Sequence, residues 1–293
     1  GQRPFAYTAP SGYKALCTAN LPDPVLAQPS TVMDVALYTG NSTTNVITGL
    51  NFSPDLVWTK NRGASASHAV YDSVRGAGNL IRTNETTAEV NVPSRFLSFD
   101  TNGYTIGSDS IENNASGNSF VAWTWDAGSS TVTNTDGSIS SQVRANPSAG
   151  FSIVTFTGTG AAATVGHGLN VQPYFIVAKN RDTVNDWPVW HNSLSATNSY
   201  LLLNGTAQEA TSSQIYNGAP TSSIVNVGDG SIINGSGNST VMYCFAPVAG
   251  YSSFGSYTGN NSIDGPFVYT GFRPRWILYK NATDSPGYNW ILL

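Results

Sequence analysis

The chain has little charge. Asp, Glu, Lys and Arg make up 10% of its 293 residues, against roughly 25% in an average soluble protein. The net charge of −4 and a pI near 5.2 argue against a nucleic-acid partner, which needs a basic stripe. No apolar run approaches the roughly 20 residues of a membrane helix, so membrane insertion by a helix is not expected. No basic segment followed by an apolar one marks a secretory leader. Opening on Gly1 reads as a fragment or a processed product. Two cysteines, Cys17 and Cys244, are too few for a disulfide framework or a four-sulfur zinc site. Cys244 lies in an apolar strand pattern and reads as a buried thiol. His68, His167 and His191 have no metal-ligand spacing, no glycine-rich stretch resembles a phosphate loop, and the aspartates form no calcium loop. No cofactor or metal is expected. The four glutamates, Glu85, Glu89, Glu112 and Glu209, sit in no motif that would place a glycosidase carboxylate pair.

What is present is a repeat. Pro54-Asp55-Leu56-Val57-Trp58-Thr59-Lys60-Asn61-Arg62 recurs as Pro173-Tyr174-Phe175-Ile176-Val177-Ala178-Lys179-Asn180-Arg181 and as Pro274-Arg275-Trp276-Ile277-Leu278-Tyr279-Lys280-Asn281. Three of the four lysines occupy this one position. Self-similarity at a fixed spacing marks a tandem array. Around it lie short β-type runs separated by Gly, Asn, Ser and Pro, and no segment keeps a helical period over ten residues. The fold class is therefore all-β, a series of antiparallel sandwiches of the jelly-roll kind.

The boundaries follow from the spacing. Residues 1–32 hold a strand, Phe5-Ala6-Tyr7-Thr8, and a Pro-rich linker, the end of a preceding domain. Residues 33–149 form a first sandwich, of which 129–149 are linker with one strand. Residues 150–250 form a second, matched element by element at an offset near 120. Ser116-Gly117-Asn118 matches Ser236-Gly237-Asn238, Glu89 matches Glu209, and Val121, Trp123 and Trp125 match Val241, Tyr243 and Phe245 as one strand face. Residues 251–293 begin a third unit whose opening strand is Tyr257-Thr258-Gly259-Asn260.

Candidate binding residues are few. Trp187 and Trp190, with His191, are the best placed for stacking on a sugar, because aromatic faces pack on sugar C–H faces and sandwich loops carry binding. Core packing is the competing reading, as the first unit has Ala-Val-Tyr in their place. Lys60, Lys179 and Lys280 could form a repeated binding site. As strand-end lysines they would lay their stems on apolar surface, keep their ammonium groups in water and blunt a sheet edge. Asn-x-Ser/Thr triplets such as Asn84-Glu85-Thr86 arise by chance in so Asn- and Thr-rich a chain.

Residues 149–158, with Val165-Gly166-His167-Gly168-Leu169, Lys179-Asn180-Arg181, 254–260 and 265–274, resemble a concanavalin-like domain common in bacteriophages, marine ones especially. The resemblance covers residues 33–293. The head, Gly1-Gln2-Arg3-Pro4-Phe5-Ala6-Tyr7-Thr8 with Gly12-Tyr13-Lys14-Ala15-Leu16, resembles the closing strands of SPRY-like domains of phage tail proteins. The resemblance implies a non-enzymatic virion structural protein on the outside of the particle: a tail fibre, spike or capsid decoration. It implies homo-oligomers, trimers first, contacts with other virion proteins, and contact with a host cell-surface glycan. A carbohydrate-binding adhesin is the alternative, and a glycan-degrading enzyme the third reading. Strands of 251–293, or of residues 1–17, would complete sheets of an adjacent subunit.

Overall fold

The structure is a computed structural model that describes Ser11 and residues 24–108, 111–284 and 287–293. The expected strand at Phe5–Thr8, Cys17 and the SPRY-like head lie outside the described residues. The fold is all-β, built from antiparallel sheets.

The first unit contributes β1 (Met33–Thr39), β2 (Asn45–Thr48), β3 (Leu56–Asn61), β4 (Ala69–Asp72), β5 (Asn79–Arg82), β6 (Val90–Asn91), β7 (Phe96–Asp100), β8 (Gly103–Ile106) and β9 (Ser119–Trp125). Six of these form one sheet in the order β1-β9-β3-β4-β5-β6, and β2-β8-β7 form a second. Ala36, Val57, Tyr71 and Ala122 of the first sheet meet Ile47, Phe96, Tyr104 and Ile106 of the second in one buried cluster. That is a sandwich core.

Residues expected to be linker are structured differently. β10 (Thr131–Asn134) and β11 (Ser141–Asn146) form a hairpin that pairs with β12 (Phe151–Thr157) and extends the second unit's sheet. The second unit continues with β13 (Ala163–Gly166), β14 (Phe175–Asn180), β15 (Pro188–His191), β16 (Ser199–Leu202), β17 (Ala210–Thr211), β18 (Ile224–Val227), one helical turn (Ser231–Asn234) and β19 (Ser239–Phe245). Its main sheet runs β10-β11-β12-β19-β14-β15-β16-β17, faced by β13-β18. From β12 onward this order repeats that of the first unit strand for strand. Gly117 and Gly237 both take φ of 77°, the left-handed region that explains a glycine at the matched turn.

The two main sheets pack against each other through the faces turned away from their own sandwich cores. Leu56, Val70, Ile81 and Trp125 join Phe151, Ile153, Phe175, Val177, Trp187, Val189, Val241 and Tyr243 in a third buried cluster. The central strands are thus covered on both faces. β14 is buried at all six positions, and a strand covered on both sides reads as a continuous apolar run rather than an alternation. Val121, Trp123 and Trp125 do share a face with Val241, Tyr243 and Phe245 as equivalents. That face lies between the units and not inside a sandwich.

The third unit is sparse. Its described strands are β20 (Leu278–Tyr279) and β21 (Ile291–Leu292), paired with each other. The strand expected at Tyr257 is not formed. In the first two units the opening strand pairs with the closing one, β1 with β9 and β12 with β19, and among the described residues no such strand stands beside residues 253–260.

Candidate functional site

The site with the richest chemistry is the seam between units, and it is built from the repeated Lys-Asn. The Asn makes the same turn three times. Asn61 Oδ1 accepts from the N–H groups of Gly63 and Ala64, Asn180 Oδ1 from Asp182 and Thr183, and Asn281 Oδ1 from Thr283 and Asp284. An Asn side chain that caps the backbone ahead of it starts a turn, which here follows the strands β3, β14 and β20. Its amide then ties the turn to the closing half of the unit. Asn61 Nδ2 donates to Ile111 O at 2.7 Å, and Asn180 Nδ2 to the equivalent Ser231 O at 2.9 Å. In the third unit Asn281 Nδ2 turns to Asp284 Oδ2 instead.

The Lys fixes the hairpin that follows. Lys60 Nζ donates to Ala66 O at 2.5 Å and Lys179 Nζ to Asn185 O at 2.7 Å, each six residues on. Lys179 also reaches across the seam to Thr86 O of the first unit at 3.0 Å. Lys280 reaches Thr206 O of the second unit at 2.9 Å. Thr86 and Thr206 are equivalent positions, 120 residues apart.

Two more contacts repeat. Trp187 Nε1 donates to Arg82 O at 2.9 Å, and Trp290 Nε1 donates to the equivalent Leu202 O at 2.8 Å. The sheet register makes these indoles equivalent, since Val177 pairs with Val189 as Leu278 pairs with Leu292. Glu89 N donates to Arg181 O at 2.7 Å, as Glu209 N does to Ala282 O at 2.8 Å. The third unit therefore grips the second as the second grips the first. At the centre, equivalent residues of all three units, Leu56, Phe175 and Trp276 with Trp58, Val177 and Leu278, line one apolar cavity of about 30 Å³.

A buried ionic network locks the first seam. Arg75, with a fully buried side chain, pairs with Asp72 at 2.5 Å and Glu89 at 2.8 Å. Tyr243 OH of the second unit donates to Asp72 Oδ2 at 2.7 Å, and Arg181 pairs with Glu89 at 2.7 Å. Burial pulls the Glu89 carboxyl upward, but the hydrogen bonds and charges of Arg181 and Arg75 outweigh it and hold it below its ordinary range. Charged groups removed from water persist only when paired in this way. Nearby, Asp55 meets Arg144 of β11 at 2.6 Å; there burial wins over Ser73, the Ala127 N–H and Arg144, and the carboxyl is raised.

These positions correct the sugar-binding expectation. Trp187 is 0% exposed and sits in the seam, and Trp190 is 3% exposed inside the second sandwich with its indole N–H on Thr197 O. Neither ring has a free face for a ligand. His191 is half-buried against Phe175, its Nδ1 accepting from Ser193 N. The strand-end picture of the lysines also changes. Lys179 is 0% exposed, held by carbonyls and not snorkelling to water. Burial lowers its pKa to about 8 against the raising effect of Asp186. Glu89 and Glu209 are equivalent but differently engaged: Glu209 accepts from Ser195 N and Oγ at 2.7 and 2.6 Å, and Ser195 stands where the first unit has Arg75. Asp72 and Arg75 were not singled out from the sequence, because their charges occur once and the repeat does not mark them. Among the described residues no group of three His, Cys, Asp or Glu is placed to hold a metal ion.

Comparison with known proteins gives one result. The family described as Domain of unknown function (DUF7483) matches residues 28–293, so the chain belongs to that family. No curated protein and no solved structure matches it.

Proposed function

We propose that this member of the DUF7483 family is a non-enzymatic structural protein of a bacteriophage virion, a component of an external appendage such as a tail fibre, spike or capsid decoration. The observation that carries the reading is the repeated seam. The side chains that looked most like ligand-binding residues, Trp187, Lys179 and Lys280, are used to bind one unit to the next through backbone carbonyls. A repeat whose distinctive residues join repeats is a building element. The glutamates are engaged likewise: Glu89 by two arginines, Glu112 by Arg82 and Arg95, Glu209 by Ser195. The phage assignment rests on the resemblance of residues 33–293, as does the concanavalin-like jelly-roll description of the sandwiches. Assembly into trimers, contacts with other virion proteins and a place on the particle surface belong to the same reading. The adhesin alternative has lost its aromatic platform to burial.

Electron microscopy of the native particle at a resolution that traces the chain tests this. Symmetric copies on the outside of a virion are the expected result. A free monomer that hydrolyses glycan, with activity lost in Glu112→Gln, would replace the reading.

A further inference from the structure

The outer edges of the two main sheets are finished differently. In the second unit the hairpin of β10 and β11 covers the edge of β12. In the first unit β1, the counterpart of β12, pairs with β9 alone and stands at the sheet edge. Asp126 N donates to Val32 O, and Gly40 N to Asn118 O. The even-numbered residues between them therefore turn their backbone groups to β9, and the odd-numbered ones turn theirs outward. Two of the outward groups are capped. Val35 N donates to Asp34 Oδ1 at 2.9 Å, and Thr39 O accepts from Asn45 Nδ2 at 3.1 Å. Among the described residues Leu37 N, Leu37 O, Val35 O and Thr39 N have no partner, a set symmetric about Leu37.

The side chains at this edge are the reverse of what exposure to water favours. Leu37 is the equivalent of Thr155, since it pairs with Val121 as Thr155 pairs with Val241. Thr155 lies beneath β11, opposite Gln142, and is the polar one of the two. Leu37, on the open edge, is 67% exposed. Open edges are ordinarily guarded by Lys, Pro, a bulge or an inward charge. β1 has no Lys and no Pro, and it pairs with β9 at seven consecutive residues without a bulge. Its one charged side chain, Asp34, is spent on its own strand.

We propose that β1 is the contact of a homodimer: it pairs antiparallel with β1 of a second copy about a twofold axis at Leu37, so that two six-stranded sheets join into one. All four open groups are then used. Leu37 exchanges both bonds with the partner's Leu37, and each Thr39 N donates to Val35 O of the other copy. Both caps stay in place. The facing positions suit one another. Ala36 meets the partner's Tyr38, small against large, and Val35 meets the partner's Thr39, two β-branched residues. Asp34 meets the partner's Gly40, so no like charges are opposed. The two Leu37 side chains cover each other at the axis. A self-complementary patch is what a twofold contact requires. The β11 strand of a second copy is not available for this edge, because β10 and β12 pair with it on both sides. The inference stands apart from the virion reading. It is compatible with the trimers of that reading, since dihedral assemblies contain twofold and threefold axes together.

Light scattering on the full chain tests this at about 100 µM, far above a micromolar dissociation constant. An even number of chains per particle is expected. Leu37→Lys, a guarding charge on an exposed position, should halve the mass and leave the far-ultraviolet circular dichroism unchanged. A single chain at that concentration, or an assembly whose mass Leu37→Lys does not change, overturns the proposal. A cross-link locates the contact independently. In a Cys17→Ser background Cys244 is buried, so Leu37→Cys supplies the reactive thiol. Mild oxidation should convert most of the chain to a disulfide-linked dimer, because facing residues of a hydrogen-bonded antiparallel pair stand about 5.5 Å apart, within disulfide reach. Val132→Cys, 54% exposed on the other open edge, β10, should stay unlinked. No link at Leu37→Cys, or an equal yield at Val132→Cys, overturns the proposal as well.

Discussion

Two hairpins of the same pattern behave differently. In the second unit Lys179 and Trp187 are both 0% exposed, and each donates to a backbone carbonyl of the first unit. In the first unit Lys60 and His68 hold the same positions and are only half-buried. Backbone pairing is alike in the two, with the hairpin strands antiparallel and in equivalent register. The contrast lies in what stands opposite. A lysine in this motif is a surface residue until another unit's loop covers it, and then it becomes a buried donor whose charge burial disfavours. The motif encodes a joint, and the neighbour decides whether the joint is closed.

Substitutions can break that contrast. Trp187→Ala removes a fully buried indole and two hydrogen bonds to Arg82 O and Glu85 O; a loss of about 3–5 kcal/mol is expected in denaturant unfolding, while His68→Ala should lose about 1 kcal/mol or less. Equal losses would mean that the first hairpin is covered too. Arg75→Met strands Asp72 and Glu89 in the seam, and about 3 kcal/mol is expected because a buried charge loses its partner. Its equivalent in the second unit, Ser195→Ala, should lose no more than about 1 kcal/mol. Lys179→Met should cost about 1–2 kcal/mol by leaving carbonyls unpaired, and Lys60→Met within about 0.5 kcal/mol.

A change of pH acts on the first hairpin through His68. Burial, with Lys60 second, lowers His68 to about 4, and burial also lowers His167 and His191. A depressed histidine stabilises the fold fully above its unfolded value of about 6.5, and that stability is lost as pH falls towards the folded value. Glu89, net of burial held low by Arg181 and Arg75, loses its contribution in the same direction at lower pH. Asp55, raised by burial, works oppositely. The thermal midpoint should therefore fall between pH 6.5 and 4, and His68→Gln should flatten that slope. A slope unchanged by His68→Gln would place the titration elsewhere.

Much of the architecture was readable along the chain. The all-β class and the strands at the Pro-to-Asn runs follow from short-range pattern, and the equivalence of Glu89 and Glu209 follows from the repeat. The seam was only half readable. The run Phe175-Ile176-Val177-Ala178 is apolar without alternation, and that is the signature of a strand covered on both faces. It shows that a second layer exists, but it cannot say which residues form it. Trp187 was weighed between ligand and core because an indole suits both. Asp72, Arg75 and Tyr243 come from sequence positions up to 171 residues apart, and nothing local links them. The strand expected at Tyr257 has the right residues and no partner among the described residues, and a strand without a partner leaves its backbone groups unpaired.

The sequence alone marked the repeated Pro-to-Asn strands, the Asn and Gly turns that follow them and the all-β class, because these depend on side-chain period and backbone preference within a few residues. Only the tertiary structure decided that two apolar faces would meet each other instead of solvent or sugar. It also made Lys179 a buried donor while Lys60 stayed half-exposed, and it gave Glu89 two arginines where Glu209 has a serine. Those outcomes depend on which surfaces come together in space, and two identical motifs can differ in that completely.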